Sequence, residues 1–167
     1  MIRNEANQAD EVVSVNRSQI EHRATWMALI YDEMKKAGID AEPIIRRAIR
    51  RTGRIHGENF RGKCPDPSNC EDFEKAFLGG EHSIGPRTFN MKNIRSDRDN
   101  VTVNFNYCAL VAAWQKLGFD DATIDLLCDM AMEGDRGIAD AMGLELDLGD
   151  TIAKGRATCD LHFKKQP

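Results

Sequence analysis

The sequence predicts an α+β fold: N-terminal helices followed by a roughly four-stranded, mostly antiparallel sheet packed with helices on one face. Three observations carry the prediction. Apolar residues recur at helical spacing through most of the first sixty residues. Two later stretches, residues 101–107 and 157–163, alternate apolar with polar side chains, the period of a strand with one buried face. A polar turn, SDRDN, joins the first of these to another short strand pattern, so neighbouring strands pair through a hairpin. Segregated helices and hairpin-connected strands together make an α+β layer.

Residues 1–16 read as a polar arm, and residues 17–167 as a single domain. The first helix is predicted from about Ser18 to Ala37, with Ile20, Met27, Tyr31 and Met34 on one stripe. Ser18 with Glu21 suits a capping box, and Gly38 suits the C-terminal stop. A second helix starts near Ala41, with Pro43 tolerated in its first turn. Its expected buried stripe is Ile45, Ile49, Thr52 and Ile55 or His56, and its other face is a ladder of arginines. Gly53 and Gly57 weaken this helix and suit a site where another backbone comes close.

Lys63 to Asn69 is a proline-containing loop between Cys64 and Cys70; the C-x5-C spacing is not that of a zinc site. A short helix is expected from Glu71 to Leu78, then a loop, GGEHSIGP, whose His82 is able to reach a site but more commonly stays solvated. Arg87 to Ile94 reads as a strand, with Phe89 and Met91 on one face.

The stretch VTVNFNYCALVAAW, residues 101–114, changes from strand period to helix period at Cys108. A thiol at or next to a helix N-cap meets the positive end of the helix dipole and unpaired N–H groups, both of which favour thiolate. The competing reading is a small apolar residue buried at the junction. Gly118 ends that helix, and Asp120 or Asp121 caps the next, with Ile124, Leu127, Cys128 and Ala131 facing inward. Asp125, Asp129 and Glu133 share one face, as a solvated acidic surface or as carboxylates for a metal, although no histidine lies on that helix to complete a site. Residues 134–137 (GDRG) are expected to break this helix, with a short one following to Met142. Leu144, Leu146 and Leu148 then alternate, and the last strand puts Ala157, Cys159, Leu161 and Phe163 on its apolar face.

With 41% hydrophobic and 30% charged residues, the composition reads as globular. No apolar run approaches the ~20 residues of a membrane span, so no membrane is expected. The first residues lack the apolar core of a signal peptide, and five cysteines without an export signal suggest reduced thiols in a cytoplasmic protein. Charge is divided. Residues 46–63 carry Arg46, Arg47, Arg50, Arg51, Arg54, Arg61 and Lys63 against Glu58 alone, whereas residues 119–150 carry ten acids against Arg136 alone. That division suits a small anionic substrate or a complementary contact between subunits. The net charge of −4, the few aromatics and the lack of a recognised motif speak against nucleic acid.

The second half resembles the L-2-amino-thiazoline-4-carboxylic acid hydrolase family. The resemblance rests on FNYCALVAAWQKLG (105–118), IDLLCDMAMEGDRGIA (124–139) and TIAKGRATCDLHFKK (151–165), with Cys108, Cys128, Cys159, Gly155 and Asp160 in place. One departure is Ala109, where the pattern has proline; alanine still permits the helix start. The resemblance implies a hydrolase that opens a five-membered cyclic amidine bearing a carboxylate, giving N-carbamoyl-cysteine, and hence a hydrolase of non-peptide C–N bonds.

Individual roles follow from residue chemistry. In one version Cys108 attacks the amidine carbon, and Asp129, Glu133 or Asp135 moves the proton, whichever is buried enough for a raised pKa. Arg50, Arg54 or Arg136 then holds the substrate carboxylate, with Cys128 and Cys159 lining the pocket. In another version the cysteines only line the pocket and a carboxylate activates water. A Cys₃ zinc site from Cys108, Cys128 and Cys159 is a further alternative, although their spacing is no local motif. No cofactor or metal is assigned. The rival from another class is a non-catalytic small-molecule or redox-sensing module. A homodimer is expected on base rates alone.

Overall fold

The computed structural model describes residues 1–79 and 83–166. Helix α1 (Glu11–Lys36) begins seven residues before the expected cap at Ser18 (18 − 11 = 7). The cap is Asp10, whose carboxylate accepts from the Val13 N–H at 3.0 Å. Ser18 lies inside the helix. The supposed polar arm thus contributes a turn and a half of helix, and Ile2 ahead of it is buried in the core.

Helix α2 (Glu42–Arg61) follows, with proline in its first turn. Its buried positions are Ile45, Gly53 and Gly57; Ile55 is 57% exposed, and Thr52 and His56 also face solvent. Ile45 is buried and Ile49 packs against the core as expected, but Gly53 and Gly57 take the place of Thr52, Ile55 and His56 because α7 (Glu133–Met142) lies against them. A Cβ on Gly53 would stand 2.0 Å from the Gly134 carbonyl oxygen, and one on Gly57 would stand 2.6 Å from the Ala141 Cβ. Gly137 returns the contact: its Cβ would fall 2.3 Å from the Arg50 carbonyl oxygen. Gly134 and Gly137 therefore sit within a helix and do not break one; the chain bends two residues earlier, at Met132.

Helix α3 (Cys70–Leu78) is capped by Asn69. The expected strand from Arg87 is replaced by a short helix, α4 (Ile84–Thr88), and β1 (Met91–Ser96) starts four residues later than predicted (91 − 87 = 4). Phe89 leaves the sheet and packs with Ile20, Tyr107 and Ala109. His82 lies outside the described residues.

Strands β1, β2 (Asn100–Phe105), β3 (Leu144–Leu148) and β4 (Cys159–Lys165) form one antiparallel sheet in the order β1-β2-β4-β3. Val101, Val103 and Phe105 sit opposite Phe163, Leu161 and Cys159, which makes one apolar face. Phe163 meets Phe73 and Phe77 of α3 edge-on, with ring centroids 5.2 and 5.4 Å apart. Thr102, Asn104, Asp160 and His162 point the other way and stay half-exposed. In β1 the register slips between Lys92 and Arg95, where Asn93 takes φ +53°, so one residue bulges out of the ladder. Helices α5 (Ala109–Lys116) and α6 (Asp121–Ala131) connect the hairpin to α7. Trp114 of α5 is fully buried, and its indole N–H donates to the Ala24 carbonyl of α1 at 3.0 Å.

Candidate active site

Cys108 is the N-cap of α5, in extended conformation (φ −129°, ψ 112°). Its carbonyl accepts from the Ala112 N–H at 3.1 Å, the first bond of the helix ladder. The N–H groups of residues 109–111 have no partner within the helix, as at every helix start. Those of Leu110 and Val111 act on the thiol in the direction expected of a helix terminus. Burial acts more strongly in the opposite direction, so the thiol stands above its ordinary value. The expectation of a spontaneous thiolate is thus corrected: desolvation outweighs the helix end.

Burial likewise pushes Cys159 up to about 12, although the Ile152 N–H donates to its sulfur at 3.2 Å. Burial raises Cys128 further still. The three cysteines reach one another electrically, because a charge on Cys108 raises both Cys128 and Cys159. Asp135 belongs to the same group, and its charge acts on Cys108 and Cys159. Burial holds its carboxyl up at about 6, against the pull of Arg23, of its own backbone N–H and of Arg136. Cys108 and Asp135 are each half-buried, so neither is sealed from solvent. Arg23, from α1, is cationic toward both. It has no ion-pair partner among the described residues, and no periodicity or motif marked it.

The remaining expected site residues gather elsewhere. Arg50 of α2 holds Asp140 through two bonds of 2.9 Å and Glu133 through a third of 2.9 Å. Arg54 pairs with Asp140 at 3.0 Å. Asp129 is bound at 2.7 Å by both Arg46 and Arg136, and Arg136 also meets Glu133 at 2.7 Å. Burial would raise Asp129, but hydrogen bonds from Arg136 and Arg46 overcome it and hold the carboxyl below its usual range. The basic ladder and the acidic face therefore answer each other inside the chain.

Two cavities border the sheet. The larger, about 500 Å³, opens on its polar face between Asn93, Arg95, Asn104, Asp147, Asp160 and His162, away from the cysteines. The smaller, about 280 Å³, is half open and is lined by Cys128 with Asp125, Asp129, Leu148, Thr151 and Lys154. Of these two, the smaller touches a cysteine, and neither is lined by Cys108 or Asp135. Among the described residues, no three His, Cys, Asp or Glu side chains are grouped to hold a metal ion. No described helix is long and apolar enough to cross a membrane.

Comparison with known proteins extends the likeness well beyond the cysteine-bearing half. No curated protein matches the chain. The match to one family runs over residues 17–163, from within α1 through β4, and so includes every element that brings Cys108, Cys128, Cys159, Asp135 and Arg23 together. The chain belongs to the L-2-amino-thiazoline-4-carboxylic acid hydrolase family.

Proposed function

We propose that the chain hydrolyses L-2-amino-thiazoline-4-carboxylate to N-carbamoyl-cysteine, with Cys108 as nucleophile and Asp135 as its proton acceptor. The observation that carries this reading is the buried Asp135 carboxyl, at about 6, acting on a thiol at a helix N-cap. Above pH 6 the carboxylate is available to take the thiol proton. The thiol itself, raised by burial, needs such a base.

The product determines which bond breaks. Both nitrogens stay on the amidine carbon in N-carbamoyl-cysteine, so the ring C2–S bond is lost rather than a C–N bond. Sulfur of Cys108 bonds to C2, and the thiol proton passes to Asp135. The resulting tetrahedral adduct, steadied by the free N–H groups at the start of α5, collapses with loss of the ring sulfur. Asp135 returns the proton to that sulfur. Water then adds across the C=N bond of the enzyme-bound isothiourea; one of its protons goes to the former ring nitrogen, the other passes through Asp135 to the Cys108 sulfur, and that sulfur departs as the thiol while the carbonyl forms. One water is consumed and no oxidant or reductant is needed. Arg23 receives the substrate carboxylate in this scheme, since Arg50, Arg54 and Arg136 already hold carboxylates of the chain. Cys128 and Cys159 line the substrate pocket.

The test is turnover of L-2-amino-thiazoline-4-carboxylate by wild type and Cys108→Ser, with products followed by mass spectrometry with and without a chelator. Turnover that is lost in Cys108→Ser and indifferent to the chelator supports the scheme. Turnover that survives in Cys108→Ser transfers the chemistry to water activated by Asp135. Loss of wild-type turnover on chelation favours a metal held by the cysteines, and absence of turnover in wild type favours a binding module. Arg23→Ala is expected to raise KM more than tenfold with a smaller change in kcat; an unchanged KM would remove Arg23 from the site.

A further inference from the structure

We infer that Asn4 is a positioning residue for Cys108, its side-chain amide fixing the backbone that carries the thiol. The inference rests on the proposed role of Cys108 as the nucleophile. Asn4 Nδ2 donates to the Cys108 carbonyl at 2.8 Å, and the Cys108 N–H donates to Asn4 Oδ1 at 2.9 Å. A single amide thus pairs with both backbone polar groups of one residue, as a neighbouring strand would. Cys108 needs such a partner. It lies past the end of β2 in extended conformation, and its N–H precedes the helix ladder that begins at its carbonyl.

Only asparagine supplies this pairing at this reach. Aspartate accepts but does not donate, and alanine does neither. The amide is also held from both sides. Ile2 is buried, and its carbonyl accepts from Gln115 of α5 at 3.1 Å. Asn7 accepts from the buried Arg17 of α1 through both its carbonyl, at 3.1 Å, and its side-chain oxygen, at 2.5 Å. Asn4 is therefore pinned between two anchored residues, and little freedom is lost when its amide closes on Cys108. One chemical consequence follows. The Cys108 N–H is occupied, so the donors left for negative charge at the adduct are those further into the first turn of α5.

The experiment compares the full chain with Asn4→Ala, Asn4→Asp and Cys108→Ser. It measures kcat and KM on L-2-amino-thiazoline-4-carboxylate, the pH dependence of Cys108 alkylation by iodoacetamide (located by peptide mass spectrometry) and thermal unfolding. Asn4→Ala is expected to lower kcat about 10- to 100-fold while KM moves less than about threefold. Asn4→Asp, which adds a negative charge beside the thiol, is expected to shift the alkylation midpoint to higher pH. A fall in unfolding temperature with kcat and the alkylation profile unchanged overturns the inference, since that is the signature of packing alone. Full turnover by Cys108→Ser overturns the nucleophile reading instead. The alkylation arm needs no substrate and judges Asn4 in either case.

Discussion

Asp135 binds a proton near pH 6 in the folded chain and near 3.8 when unfolded. Between those values the folded chain holds the proton more tightly. The contribution of this group therefore favours folding at low pH and is withdrawn as pH rises from about 4 to about 6. Asp135→Asn is expected to gain on the order of 3 kcal/mol at pH 7.5 and roughly half a kcal/mol at pH 4, read from urea midpoints. The same variant should lose the limb near pH 6 in the pH profile of kcat/KM, with a rate loss of roughly 10²- to 10⁴-fold. A stability-against-pH curve identical to wild type would contradict the burial of this carboxyl. The strand-to-helix junction at Cys108 was legible in the sequence, because a change of period marks it, whereas Asp135 was one conspicuous carboxylate among several, of which Asp129 and Glu133 pair with arginines instead. Arg23 and Asn4 were not legible. Each reaches Cys108 from more than eighty residues away, and neither stands in a pattern that announces it.

In helix α2 the apolar stripe was right in its first half and wrong in its second. Ile45 is buried and Ile49 packs on the core, whereas Gly53 and Gly57, not Thr52, Ile55 or His56, make the contact with α7. Propensity alone would have Gly53→Ala stabilise the helix by about 1 kcal/mol. Contact with the Gly134 carbonyl reverses the sign, and a loss of about 3 kcal/mol or more is expected, checked by thermal or urea unfolding. Stabilisation would mean that α2 and α7 stand further apart than described. Elsewhere the element boundaries failed for nameable reasons. Asp10 caps α1, but its link to Val13 is a short-range choice that Ser18 and Glu21 imitated convincingly. Phe89 alternates like a strand residue, yet it is drawn into a small cluster with Tyr107 and Ile20.

Across the whole molecule, the order of the elements and the antiparallel sheet were readable, because period and turn chemistry are local. The destination of the charges was not. The basic 46–54 stretch and the acidic 129–140 stretch looked like separate surfaces inviting an external partner, and folding brings them together through Arg46, Arg50 and Arg54. These pairs are partly solvated, so each contributes modestly. Arg50→Ala, which removes one partner each from Asp140 and Glu133 and leaves Arg54 and Arg136 on them, is expected to cost about 1–2 kcal/mol at low salt and less at 0.5 M salt. Unfolding midpoints at the two salt concentrations measure this, and equal costs at both would indicate that packing, not charge, dominates.

The bulge in β1 bears on how this molecule keeps to itself. An open four-stranded sheet has two rims, and each is a template on which another chain could crystallise into a growing ribbon. One rim is interrupted where Asn93 is thrown out of register. The other is only five residues long and carries Glu145 and Asp147. Neither offers the long, flat, uncharged border that amyloid-like stacking requires. Edge-to-edge pairing with a second copy is therefore blunted at both rims, and the ladder ends with this chain.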